Sequence, residues 1–169
     1  MTCTVVASDE RTDLGDTSGG TSAAVPPIDV ARWARLAEQA AGHEGGVGEL
    51  TLTFVGADEM AELNAEHMGN AGPTDVLSFP MDDEPVAGVP TLVGDIVVCP
   101  DVALAQCTDH AGTFDDEMAL LVVHGVLHVL GHDHAEPDET VLMRDRELAL
   151  LSALHWDGPP PDGFRQDHD

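Results

Sequence analysis

The chain contains no lysine and no tyrosine, and its only cations are six arginines against 32 aspartates and glutamates. The formal net charge is therefore −26. Such a balance argues against a basic face that grips nucleic acid or an anionic membrane by charge alone. It fits a hypothesis of a salt-rich cytoplasm, where screening weakens self-repulsion. Cysteine is scarce as well: Cys3, Cys99 and Cys107. An odd number with no CxxC pair speaks against a disulfide framework and for a reducing compartment, with small buried thiols as the simplest reading. No apolar run reaches the roughly 18 residues of a membrane span, and the N-terminal text lacks a basic and then apolar leader. The expectation is a cytoplasmic protein with no membrane partner.

What is present suffices for one domain. The 169 residues are 43% apolar, enough to bury a core. Thr4–Ala7 reads as a short strand. A Gly, Ser, Thr and Asp-rich stretch near 11–27 reads as a flexible loop. Ile28–Ala41 has helical apolar spacing at Val30, Trp33, Ala34, Ala37 and Ala41. Leu50, Leu52 and Phe54 alternate with threonines, a strand. Ala57–His67 reads as a second helix. Asp75–Met81 is extended, with Pro80 marking an edge. Thr91–Cys99 is a strand, and Pro100 suits the first turn of the helix that runs to about His110. Asp115–Leu130 is apolar nearly all round, so it is a central buried helix with Thr113 and Asp116 at capping spacing. Glu136–His155 is the last helix, with Val141, Leu148 and Leu151 on one side. Met68, Met81 and Met118 are assigned to the core. Residues 157–169 read as a disordered tail.

The expected fold is thus α+β: a small mixed sheet of about four strands packed with about five helices, one domain over residues 1–156.

Chemistry concentrates in HGVLHVLGHDH. His124, His128, His132 and His134 fall within eleven residues, where nine histidines in 169 would place roughly 0.6 by chance. His124 and His128 stand i and i+4 on the buried helix and share one face. Gly131 can adopt the positive φ that ends a helix, and the chain can then return His134 to the same point. His132 is expected to point away. Three imidazoles leave a fourth position open on Zn²⁺, the arrangement of a catalytic rather than a structural site. Asp133 is a candidate to orient an imidazole from behind. The H-x3-H-x2-G-x2-H spacing is that of zincin metal helices. Those of metallopeptidases carry a glutamate general base after the first histidine, and here that place is Gly125.

Three blocks of text, in order, resemble the YbeY family of bacterial endoribonucleases, also called rRNA maturation factors. HGVLHVLGHDH is similar to that family's histidine signature, PTDVLSFP (residues 73–80) to its second block, and GDIVVCPDVA (residues 94–103) to a third. Leu63-Asn64 fits a Leu-Asn pair ahead of the second block. The resemblance spans about Leu50 to Leu151. It implies an α+β fold with one zinc ion per chain on His124, His128 and His134. It implies hydrolysis of single-stranded rRNA in small-subunit 3′ maturation and ribosome quality control. The small ribosomal subunit and its proteins would be partners. Many members carry Tyr-Arg ahead of the second block, and that Arg is thought to serve cleavage; the aligned pair here is His67-Met68. Arg144 or Arg146 is a candidate to supply the missing charge, with a helix-surface pair such as Arg144–Glu147 as the simpler reading. Thr74, Asp75 and Ser78 either line the cleft beside the metal and touch substrate, or Thr74 and Asp75 shape the turn into the strand and Ser78 packs under it. Two other functions compete. One is a ribosome assembly factor with little or no catalysis. The other is a different zinc hydrolase, metallopeptidase-like, whose edge strand near Val76–Phe79 holds a peptide.

Overall fold

A computed structural model describes residues 3–11, 25–81, 87, 92–131 and 136–166. The elements run β1 (Cys3–Asp9), α1 (Val30–His43), β2 (Gly48–Phe54), α2 (Ala57–Met68), β3 (Val76–Pro80), β4 (Leu92–Val98), α3 (Pro100–Gln106), α4 (Phe114–Val129) and α5 (Pro137–Leu151). A 3₁₀ turn, Cys107–Asp109, follows α3, and a π turn, Ser152–Trp156, follows α5. The architecture is the expected α+β: five helices around a four-stranded mixed sheet.

The strand order is β1-β2-β4-β3. β1, β2 and β4 are parallel, and β3 runs antiparallel to β4 at the edge. Pro80 ends that edge strand opposite Gly94, where the missing N–H costs least. Side-chain alternation divides the sheet between two cores. Leu50, Leu52, Phe54, Ile96 and Val98 point to one face and pack with α1, α4 and α5. Val97 and its partner Leu77 point to the other, with Met60 of α2 and Cys99.

α4 is the central helix, as its sequence demands. Met118, Leu120, Leu121, Val122, Val123, Val126 and Leu127 are all fully buried. At about 1.5–3 kcal/mol per large apolar side chain, these seven supply on the order of 10–20 kcal/mol of gross burial, far more than any single polar contact nearby. Thr113 caps the helix by accepting the Asp116 N–H at 3.1 Å. Asp116 does not close the reciprocal box. Its Oδ1 instead accepts from Trp156 Nε1 at 2.9 Å and pairs with His155 Nε2 at 2.8 Å, tying the chain after α5 to the start of α4.

Two glycines let α4 sit close to the sheet. A Cβ on Gly125 would lie 2.6 Å from Ile96 Cγ2, and one on Gly94 would lie 2.8 Å from the Phe79 carbonyl oxygen and 2.7 Å from Val129 Cγ1.

Four sequence expectations need correction. The buried face of α5 is Met143, Glu147, Leu150 and Leu151, while Val141 is exposed. The face is turned because Glu147 has a partner on α4. Met118 is in the core, but Met68 and Met81 are exposed, each at or just past the end of an element. The helix after Pro100 is α-helical only to Gln106 and tightens into the 3₁₀ turn. Residues 157–166, read as tail, pack back on the domain: Phe164 meets the Trp156 ring edge-on at 4.7 Å, and the Arg165 N–H donates to the His110 carbonyl at 3.0 Å. The stretch 12–24 and residues 167–169 lie outside the described residues. The three cysteines are free and buried, and burial pushes each thiol up.

Candidate metal centre

His124 and His128 stand one turn apart on α4, their rings edge to face with centroids 4.5 Å apart. His124 is buried and His128 half-buried, so the pair runs from the interior toward the surface. Just beyond, α4 ends and Gly131 takes φ +106°, a conformation that L side chains rarely adopt. His132, Asp133 and His134 follow immediately and lie outside the described residues. Among the described residues, no three His, Cys, Asp or Glu side chains form a group able to hold a metal ion. The described part of the site is therefore the two-histidine helix and what supports it.

That support comes from Glu147 of α5, whose Oε1 lies 2.9 Å from His124 Nδ1. Glu147 is buried, with 1% of its side chain exposed. An imidazole facing a carboxylate satisfies both when Nδ1 carries the proton, the tautomer in which Nε2 is the nitrogen with the lone pair. A buried carboxylate without such a partner would be costly. The donor set thus fits a borderline-soft divalent ion such as zinc: imidazoles on one helix face, one held in a fixed tautomer. Sequence reasoning missed Glu147, because an acid on the last helix reads as surface. The available signal was its spacing with Met143, Leu150 and Leu151.

Ser78 lies beside this helix. β3 turns it toward α4, and its hydroxyl donates to the Gly125 carbonyl at 3.4 Å, next to His124. Gly125 has no room for a side chain, so the glutamate base of zinc peptidases has no place on this backbone. Asp75 is buried, accepting from Gln106 Nε2 at 2.7 Å and from the Val76 N–H at 2.7 Å. Thr74 donates its hydroxyl to Asp75 Oδ1 at 3.3 Å. Gln106 Nε2 also reaches Glu117 Oε1 at 3.3 Å, so one amide bridges two buried carboxylates. Burial pushes the Glu117 carboxyl above its ordinary value, opposed by the Ala111 N–H and by His110.

Asn64 is also buried, and its amide holds the Gly72 carbonyl at 2.9 Å, fixing the loop into β3. His67 meets the Phe79 ring edge-on at 5.0 Å, and Met68 is exposed beside it. Arg146 is engaged by Glu44 at 2.6 and 2.8 Å. No ion pair between Arg144 and Glu147 forms part of the described contacts; the Arg144 carbonyl accepts from Gln166.

A family model described as endoribonuclease YbeY matches residues 26–155. A protein named endoribonuclease YbeY from Frankia casuarinae is 47% identical over 120 residues, which cover 66% of this chain and 59% of that protein. Another of that name from Salinispora tropica is 49% identical, covering 63% of this chain and 71% of that one. One from Thermobifida fusca is 45% identical over 133 residues, covering 75% and 86%. The solution structure of TM1509 from Thermotoga maritima superposes with a TM-score of 0.55 at 29% identity, covering 75% of this chain and 81% of that one. The chain belongs to the YbeY endoribonuclease family.

Proposed function

We propose that the protein is a zinc-dependent endoribonuclease that cuts single-stranded RNA in small-subunit rRNA 3′ maturation and ribosome quality control. It would act in the cytoplasm, with the small ribosomal subunit and its proteins as partners. Family membership supports the reaction class. One structural observation carries the site: a buried histidine held by a buried glutamate, with a second histidine one turn toward the surface. His124, His128 and His134 would hold one zinc ion, with α4 as the metal helix. Bound there, zinc supplies Lewis acidity toward a phosphoryl oxygen and toward water.

The chain's own residues do the rest. Glu147 keeps the proton on His124 Nδ1, so that Nε2 presents a lone pair. Ser78, bonded to the Gly125 carbonyl of α4, and Thr74 at the entry of β3 would offer hydroxyls to a ribose or phosphate. Asp75 is buried and accepts from the Val76 N–H and from Gln106, which supports a role in shaping the cleft. Asp133 remains a candidate to orient a ligand imidazole.

A second reading is an assembly factor with weak catalysis. It is favoured by exposed Met68, where the family resemblance leads one to expect an arginine, and by the engagement of Arg146 with Glu44. Complementation separates the two. In a strain lacking the gene, His128→Ala should leave small-subunit rRNA 3′ ends unprocessed if the protein is the nuclease. Restored ends would favour the assembly factor.

A further inference from the structure

The segment after α5 returns to the candidate metal centre. Trp156 is bonded to Asp116 on α4, Phe164 stands edge-on against Trp156, and the Arg165 N–H is bonded to the His110 carbonyl. These contacts deliver Gln166 to α5. There its amide nitrogen donates to the Arg144 carbonyl at 3.0 Å and to Glu147 Oε2 at 3.0 Å. The two hydrogens of one NH₂ group match these two acceptors. Glu147 thus lies between Gln166 on Oε2 and His124 Nδ1 on Oε1.

We propose that residues 157–166 form a strap that positions a metal ligand, with Gln166 acting through Glu147 on His124. The inference rests on the reading of His124 as a ligand. A glutamate on a helix has three side-chain torsions, and each hydrogen bond to its carboxylate removes freedom from them. The Arg144 carbonyl anchors the Gln166 amide, and the amide anchors the second oxygen. The carboxylate plane is then set before any metal arrives. Gln166 touches neither metal nor substrate; it is a positioning residue.

Zinc affinity of the full chain, measured by competition with a chromophoric chelator, tests this, with the cobalt(II) absorption spectrum as a second readout. Gln166→Met keeps length and bulk but loses both N–H donors; Gln166→Ala is the second variant. The strap predicts that Gln166→Met weakens zinc binding about three- to tenfold and shifts the cobalt bands. It predicts a loss of about 10- to 100-fold for Glu147→Gln, as for other groups behind a metal ligand. In the Glu147→Gln background, Gln166→Met should then add nothing. Metal-free Gln166→Met should melt within about 2 °C of wild type, since the strap keeps its aromatic contacts. Unchanged zinc affinity in Gln166→Met and Gln166→Ala, with wild type binding one zinc, would overturn the strap and leave the metal centre standing. An equal loss with and without Glu147 would overturn it too. A wild type that binds no zinc removes the metal centre itself, and the strap with it.

Discussion

At the scale of single residues, two buried glutamates have opposite fates. Glu147 meets an imidazole; among the described residues, Glu117 meets an amide, a backbone N–H and the nearby His110 ring. Its folded-state pKa is raised by burial above the ordinary 4.5. The folded protein therefore holds this proton more tightly than the unfolded chain. The contribution of Glu117 to stability falls as pH rises from about 4.5 through the folded value, and is level above it. Glu117→Gln removes the ionisation and keeps an amide oxygen for the same donors. The melting temperature of the variant should gain on wild type as pH is raised from about 4.5 through the folded value. A gap independent of pH would show that Glu117 does not ionise differently on folding. The same contrast explains what was hard to read. Burial of a charge is not written in residue type, whereas His124, His128 and the cysteines announce themselves by type and spacing.

At the scale of elements, α4 was the most legible part of the chain. An all-apolar helix has one place to go, and the Thr113 cap and the Gly131 ending follow from local chemistry. α5 was the least legible of the helices. Its buried stripe includes a charge, so an apolar count placed Val141 inside and left Glu147 out. The strands were legible by alternation, and β3 was placed at an edge by Pro80. Gly125 has a meaning the sequence could only half supply. Its text reads as the loss of a catalytic glutamate; the structure adds that the helix approaches Ile96 too closely for any Cβ. Gly125→Ala should cost about 1–3 kcal/mol, measured by urea unfolding, unless α4 moves off the sheet. A neutral substitution would show that the contact between α4 and β4 is looser than described. The effect of Gly94→Ala should be at least as large, because one obstructing atom is backbone rather than a flexible side chain.

At the scale of the whole molecule, the charge decides how a polyanion can be met. Among the described residues, Arg11 pairs with Asp9 at 2.7 Å, Arg146 with Glu44 at 2.6 Å and Arg32 with Asp115 at 3.2 Å. Arg35, Arg144 and Arg165 lie outside these pairs, so few cations remain to replace counterions on RNA. A protein that neutralises Z phosphates loses single-strand affinity with a slope of about −0.7Z against log salt. With so few cations, Z should be small. Meanwhile salt screens the repulsion between RNA and a surface of net charge −26. RNA association should therefore be flat or strengthen as KCl rises from about 0.05 to 0.5 M, a range in which the screening length shortens severalfold. Fluorescence anisotropy of a labelled single strand reads this directly. A steep loss with salt would mean that a basic cleft forms after all. Thermal stability should rise with KCl over the same range, since the fold carries its own repulsion. None of the helices is long and apolar enough to cross a membrane among the described residues.

A zinc centre on α4 would have to bind metal and cleave RNA through the same histidines. One preparation tests it: zinc per chain measured beside cleavage of a single-stranded rRNA 3′ fragment, at low and high KCl, for wild type and His128→Ala. The account predicts about one zinc per wild-type chain, cleavage by wild type, and loss of both in the variant while its fold persists. A wild type that cleaves RNA without bound metal, or a His128→Ala variant that keeps full zinc and full cleavage, would contradict it.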